Sequence, residues 1–411
     1  MNQIRKLLII GKVWPEPNSS AAGSRMMELI DLLKRGGYAV TFATSASDSS
    51  YAVNLADYSV NPVRVEMNSS TFNDFIRELQ PDVVMFDRFM TEEQFGWRVV
   101  EECPNAIRIL DTEDLHCLRA ARQNAWKSGQ KFEPEMLSEE EVSKREIASI
   151  YRCDLSLIIS EFEFELLQNQ FRVPEDLLYY LPFLMKQLPE SSPITFEDRS
   201  DFVSIGNFLH EPNWNAVLWL KEEIWPLIHH QLPNAKLNIF GAYPTQKVHQ
   251  LHNPKEGFWV HGRAESAKEV ISKARVLLAP LRFGAGLKGK LADAMRFGTP
   301  SVTTSIGAEG IEKLNNWPGA VRDDPIQFAK SAIELYQNSQ KWRAAQTQGF
   351  KLLKQKFDKE KFEVDFLNRL TALNQNLQNH RKKNFIGSML MYHYQQGTKY
   401  MSKWIEEKNK H

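Results

Sequence analysis

The chain has 411 residues, 42% hydrophobic and 25% charged, an ordinary globular composition that excludes a disordered or coiled-coil protein. Fifty-one Lys or Arg balance fifty-one Asp or Glu, which excludes a protein that holds duplex nucleic acid by bulk charge. No apolar run approaches the roughly eighteen residues that span a bilayer.

In chain order, Met1 to Lys6 lead straight into a strand-sized run, Leu7 to Ile10, rather than a signal-peptide core. A loop through Pro15, Pro17 and Ser19-Ser20 follows. Met26, Met27, Leu29, Ile30, Leu32 and Leu33 then recur at helical spacing until Gly36-Gly37 stops the helix. Val40–Ala43, Val83–Phe86, Ile107–Leu110 and Leu155–Ile159 are strands, and because they are apolar on both faces they belong to a buried parallel sheet. Residues 186–200, rich in Pro, Ser and charge, read as a linker. The alternation restarts with strand Phe202–Ile205 and a turn at Gly206. Helix Asn213–Ile224 and strands Lys236–Phe240, Phe258–Val260, Val276–Ala279 and Ser301–Thr304 follow. The fold class is α/β, with two facing Rossmann-like domains over 1–185 and 201–372. From Trp342 the chain turns helical and polar, and 373–411 form a C-terminal helical tail. Between Arg381 and His411 there are seven Lys or Arg and two Glu, interleaved with Phe385, Tyr392, Tyr394, Tyr400 and Trp404. Three cysteines without metal-ligand spacing (Cys103, Cys117, Cys153) fit a reducing cytoplasm.

The densest chemistry lies in 279–310, APLRFGAGLKGKLADAMRFGTPSVTTSIGAEG. A strand ends at Pro280, a glycine loop follows, and a helix opens near Leu287 and closes at Gly298-Thr299-Pro300. Backbone N–H groups at such a helix start, approached closely through Gly284 and Gly286, bind anionic oxygens. Arg282 and Lys288 flank the loop with the charge a diphosphate requires, Arg as a planar fork and Lys as a point charge. Asp293, further along the helix, can accept hydrogen bonds from a ribose diol. The bland alternatives are a solvated face for Arg282, Lys288 and Lys290 and a tight turn for the glycines. Asp323-Asp324 before Pro325 read as a helix cap, and no grouping of Asp, His or Cys reads as a metal site.

The whole string resembles the donor-binding segment of glycosyltransferase family 4 within the GT-B fold, with the pattern PLR-x-GAG-x-[RK]-x-K-x-x-[ED]-AM-x-x-G-x-P-x-V-x-T-x-x-GAEG. Residues 202–213 (FVSIGNFLHEPN) resemble the family's first strand and turn of the second domain. Val260-His261-Gly262 resembles its base-lining segment. Asp111 to Arg119 (DTEDLHCLR) resembles its D-x-x-D-L-H-x-x-R segment, and Gly23 with Arg25 sits where the family has a glycine loop and Arg. The resemblance implies a hexosyltransferase that moves a sugar from a UDP- or GDP-linked donor, with retention, to a glycan, lipid-linked or small-molecule acceptor, without metal or other cofactor.

It also implies roles. Arg282 and Lys288 would neutralise the diphosphate, Asp293 would hold the ribose, and His116 would face the transferred sugar. Ala308, Glu309 and Gly310 would contact phosphate or sugar. Gly23, Gly206, Gly262 and Arg263 would complete the donor pocket. In this fold the last helices cross back to the first domain, so the tail aromatics are expected to be packing, with peripheral contact on the inner membrane face as the second reading. Two departures stand out. The family's Glu-x7-Glu pair is Ala285 and Asp293 here, and Leu181-Pro182-Phe183 replaces Pro-Asn-Gly. Ala285 keeps a non-catalytic sugar-nucleotide binder as an alternative, beside a nucleotide-sugar epimerase. A nicotinamide-dependent oxidoreductase is disfavoured, because Lys12-Val13-Trp14 follows Gly11 where Gly-x-Gly-x-x-Gly would stand. Asp111 and Asp114 tempt as a catalytic pair, with N-capping of the next helix the simpler role for one of them.

Overall fold

The computed structural model describes residues 5–185, 195–312 and 316–409 and contains two parallel sheets. The first is ordered β3-β2-β1-β4-β5-β6-β7. Its strands are β1 (Arg5–Gly11), β2 (Tyr38–Thr44), β3 (Asn61–Arg64), β4 (Val83–Asp87), β5 (Ile107–Asp111), β6 (Leu155–Ile158) and β7 (Leu178–Tyr180). The second is ordered β10-β9-β8-β11-β12-β13. It contains β8 (Ser200–Ile205), β9 (Leu237–Phe240), β10 (Phe258–Gly262), β11 (Ala274–Ala279), β12 (Ser301–Thr303) and β13 (Gly319–Val321). Every adjacent pair is parallel.

Alternation along each central strand feeds two cores, one per sheet face. Leu8, Ile10, Val84 and Phe86 pack on one side of the first sheet, and Leu7, Ile9, Val83 and Met85 on the other. Val276 and Leu278 are likewise divided from Leu277 and Ala279 in the second. In each sheet the strand order reverses beside the first strand of the half, β1 or β8, which opens a crevice at the carboxyl ends, where α/β folds bind ligands. This is the expected pair of facing Rossmann-like halves.

The expectations fail mainly at sheet edges. β3, β7 and β13 have no counterpart among the predicted strands, and all three are edge strands of three or four residues. An edge strand need not be apolar on both faces and tolerates Pro62, so the signal that marks central strands is missing. The predicted helix Asn213–Ile224 is helix Glu211–Trp219 followed by a single π-turn, Leu220–Ile224, that runs into helix Trp225–Gln231. Pro226 lacks the N–H that would continue a regular ladder, which accounts for the local rewinding. Of the predicted linker, 186–194 lie outside the described residues.

The C-terminal boundary also needs correction. Helix Lys359–Lys383 runs through the expected boundary at 372/373 and kinks only at Asn376, and Phe366, Leu370, Leu373 and Leu377 belong to a core of the first half. The return therefore begins at Asp358, just after the Phe357 carbonyl accepts the Met185 N–H at 3.2 Å. Helix Phe385–Asn409 continues over the first half. There the Tyr394 hydroxyl donates to the Glu92 carbonyl at 3.0 Å and Arg98 donates to Ser402 Oγ at 3.1 Å. Tail packing holds for Tyr394, but Phe385, Tyr392, Tyr400 and Trp404 are exposed. The three cysteines are buried free thiols.

Candidate functional site

Between the two sets of strand ends lies a cleft of about 570 Å³, within the usual range for small-molecule sites. One wall is the loop Val13–Ser20 with the start of helix Ala21–Arg35, and Asp87, Arg88, Glu113, Asp114, His116 and Arg119 behind it. The other is Gly206 to Asn213, the glycine loop Gly284 to Lys290, and Asp293. Ser20 caps the first helix by accepting the Gly23 N–H at 3.0 Å. A Cβ on Gly23 would lie 2.4 Å from the Glu16 carbonyl, so this close chain crossing requires glycine.

In the glycine loop Gly284 and Gly286 have φ of 145° and 65°, values that disfavour any side chain. A Cβ on Gly286 would also stand 2.7 Å from Asp114 Cβ across the cleft. The Gly286 N–H donates to Glu163 Oε1 of the first half at 2.7 Å. Burial, reinforced by Asp114, pushes the Glu163 carboxyl up to about 8. Helix Gly289–Arg296 starts two residues later than predicted, with Lys288 as its N-cap residue. Lys288 Nζ donates to the Gly286 carbonyl at 2.7 Å and Lys290 Nζ to Asn213 Oδ1 at 2.8 Å. Burial lowers both ammonium groups to about 8, and it raises Asp293 to about 6. Lys288, Lys290 and Asp293 all line the cleft.

On the opposite wall His116 opens helix His116–Lys127, edge-on to Phe89 at 5.4 Å between ring centroids and 3.7 Å from Asp114 Oδ1. Burial drives its imidazole down to about 3, so it is neutral at physiological pH. The helix start is capped by neither Asp111 nor Asp114. Glu146, from helix Glu141–Arg152, accepts the His116 and Cys117 N–H groups at 3.0 and 2.9 Å. Asp111 is instead buried against Arg25 at 3.0 Å, and Arg25 also donates to the Leu181 and Pro182 carbonyls, fixing the departure Leu181-Pro182-Phe183 in place. Although burial opposes it, the ion pair with Arg119 holds Asp114 well below the usual carboxylate range.

Several predicted residues lie away from the lining. Arg282 points away from the cleft: its Nε donates to Asn215 Oδ1 at 2.7 Å, and its guanidinium sits 4.9 Å from the Trp126 ring and 5.0 Å from the Trp219 ring. The Trp-lined slot holds the planar guanidinium by cation–π contact. Lys290 takes its place at the cleft wall. Gly262 and Arg263 are outside the lining too, and Arg263 reaches across to Ser19 Oγ at 3.2 Å and over the Tyr51 ring at 4.4 Å. Ala308, Glu309 and Gly310 do not line the cleft. Glu309 makes a two-pronged ion pair with Arg122 at 2.7 Å for each prong, and Arg122 also donates to the Gly284 carbonyl at 2.9 Å. These contacts hold the glycine loop against the first half.

The sequence reading missed Glu163, Glu113, Arg88 and His210. Glu113 is 8% exposed, lines the cleft, has a left-handed φ of 59°, and its Oε1 has no hydrogen-bond partner. Arg88, at φ 71°, is the second strained non-glycine residue on that wall and pairs with Asp87 at 3.0 Å. Strain of this kind collects at functional sites. His210 stood within the quoted segment 202–213, and Glu113 within 111–119, so a signal was present for both. Glu163 had none. No metal-type cluster of His, Cys, Asp or Glu occurs among the described residues.

Residues 199–338 match the family described as Glycosyl transferases group 1. An "uncharacterized 44.6 kDa protein in cps region" from Klebsiella pneumoniae is 21% identical over 198 residues, 44% of this chain and 49% of the relative, so the match spans about half of that protein. HepE from Anabaena, crystallised in complex with UDP and glucose, superposes with a TM-score of 0.64 over 90% of this chain and 100% of its own, at 11% identity. Sucrose-phosphate synthase from Thermosynechococcus elongatus gives 0.68 over 90% and 99%, at 14% identity. WaaG, a glycosyltransferase involved in lipopolysaccharide biosynthesis, gives 0.60 over 88% and 98%, at 12% identity. At these identities the likeness is one of fold: the chain has the GT-B architecture.

Proposed function

Because residues 199–338 match the group 1 glycosyl transferase family and the fold is GT-B, we propose that the chain transfers a hexosyl group from a nucleoside-diphosphate sugar to a hydroxyl acceptor. The observation that carries this reading is the convergence of Lys288, Lys290 and the glycine loop on one cleft wall, opposite neutral His116 on the other. Two lysines above a helix start supply the positive field that a departing diphosphate needs, and exclusion of water by a bound donor would strengthen it. Burial lowers both ammonium groups to about 8, so they stay mostly charged near neutral pH, and a bound diphosphate would favour the charged forms further. Asp293 is the carboxylate for the ribose diol. Gly23 and Gly206 let backbone approach the donor. A neutral His116 can hydrogen-bond a sugar hydroxyl without repelling the positive charge that develops at the anomeric carbon. Asp87 and Glu113, each with a carboxyl oxygen that has no hydrogen-bond partner, would hydrogen-bond hydroxyls of donor sugar or acceptor, Glu113 in its protonated form.

HepE binds UDP and glucose, which supports a UDP-linked donor as the first to test and GDP as the second. The absence of a carboxylate at Ala285 shifts donor-sugar recognition to the first half. Retention at the anomeric carbon and no metal requirement follow the family resemblance. Three buried free thiols support a reducing compartment.

A thermal-shift series with UDP, GDP and their sugars should show one nucleotide family stabilising the protein as RT ln(1 + [L]/Kd). Lys288→Ala and His116→Ala should each lower donor turnover roughly a hundredfold with the fold intact. A chain that no nucleoside diphosphate stabilises would overturn the proposal. Stabilisation without turnover would instead favour the non-catalytic binder. NMR of the product tests retention, which an inverted anomer would disprove.

A further inference from the structure

Helix Phe385–Asn409 is apolar on two opposite faces. Its inner face, through Met391, Tyr394 and Ser402, packs on helices Phe89–Glu102 and Glu141–Arg152. At about 100° per residue, Phe385, Met389, Tyr392, Tyr400 and Trp404 fall on the side away from that contact. They are 75%, 46%, 63%, 60% and 63% exposed. A single exposed aromatic is ordinary, but a stripe of large apolar side chains along one helix marks an interaction surface.

What borders the stripe identifies its partner. Lys403 lies on the outer face with Lys408 at its flank, the exposed Lys382 and Lys383 end the preceding helix just before Phe385, and none of the four has a carboxylate partner among the described residues. Lys408 instead lies 5.3 Å over the Trp404 ring. Glu407 is the acidic residue on this side. Lysines occur at both ends of the helix, so a second copy laid on it, parallel or antiparallel, would bring lysine against lysine. A layer of anionic headgroups above an apolar interior matches both features: cations at the phosphates, aromatics at the boundary, methylene and ring surface below. Among the described residues no helix is long and apolar enough to cross a membrane, so the contact is one of lying on the surface.

We propose that the outer face of helix Phe385–Asn409 docks this protein on a membrane surface that carries anionic phospholipid. The test is co-sedimentation of the full chain with vesicles of phosphatidylglycerol and phosphatidylethanolamine, against vesicles of phosphatidylcholine alone; it needs no donor or acceptor. The chain should partition to the anionic vesicles and be partly released by salt. The double variant Phe385→Ser/Trp404→Ser should lose roughly tenfold or more of that partition while its melting curve stays unchanged. The triple variant Lys382→Glu/Lys383→Glu/Lys403→Glu should lose the preference for anionic vesicles. Wild-type partition by the double variant, or no binding to anionic vesicles, would overturn the proposal. A dimer in light scattering that the double variant dissociates would also overturn it, assigning the stripe to a second copy.

Discussion

Glu113 shows how burial turns a carboxyl into a sensor of its surroundings. Desolvation, with Asp111 nearby, raises it from an ordinary 4.5 to about 8, so the folded chain holds that proton more tightly than the unfolded chain does. Its contribution to stability is therefore complete below about 4.5 and is lost as pH rises through about 8. Glu113→Gln removes that titration. The melting temperature of the variant, relative to wild type, should rise between pH 5 and pH 8.5; a difference that stays flat with pH would contradict the assignment. The same residue illustrates what sequence reading can see. Motif and resemblance picked out His116 because its neighbours carry a recognisable pattern. Glu113 lies in the same segment, but nothing in a linear string reveals a left-handed backbone or a buried oxygen without a partner.

The glycine loop belongs to the second half of the molecule but is held by side chains of the first. Its conformation follows from local sequence, since Gly284 and Gly286 permit positive φ, but its position follows from Arg122 and Glu163 in the first half. Arg122 is almost fully buried, and truncating one partner of such an ion pair leaves the other charge without compensation. Arg122→Ala and Glu309→Ala should each weaken nucleotide binding. In a double-mutant cycle they should couple by about 1–3 kcal/mol, because they act through one contact. Strict additivity would mean that the bridge does not hold the loop. The displacement of Arg282 has the same origin. Spacing put it beside Lys288, and its tertiary partners, Asn215, Trp219 and the first half's Trp126 packed on Phe283 at 5.2 Å, hold its guanidinium away from the cleft.

Across the whole molecule, the first half is completed by chain that follows the second. Phe366, Leu370, Leu373 and Leu377 are buried in its core, each worth about 2 kcal/mol against a typical domain stability of roughly 5–15 kcal/mol. A chain ending at Asp358 should therefore fail to give a cooperative first-half transition in calorimetry, whereas one ending at Lys383 keeps those four side chains and should melt cooperatively. If the chain ending at Asp358 melted like the longer one, the returning helix would not be part of the core. The central strands, their parallel pairing, the tandem division and the donor-side string were all readable in sequence, because apolar runs, glycine positions and charge spacing are local and survive in one dimension. The edge strands, the point of return, the capping of the His116 helix by Glu146, the replacement of Arg282 by Lys290 at the cleft and the exposed stripe on the last helix were decided by the tertiary structure. Each depends on which distant surface a side chain meets, and desolvation, partner choice and burial are properties of that meeting rather than of the residue.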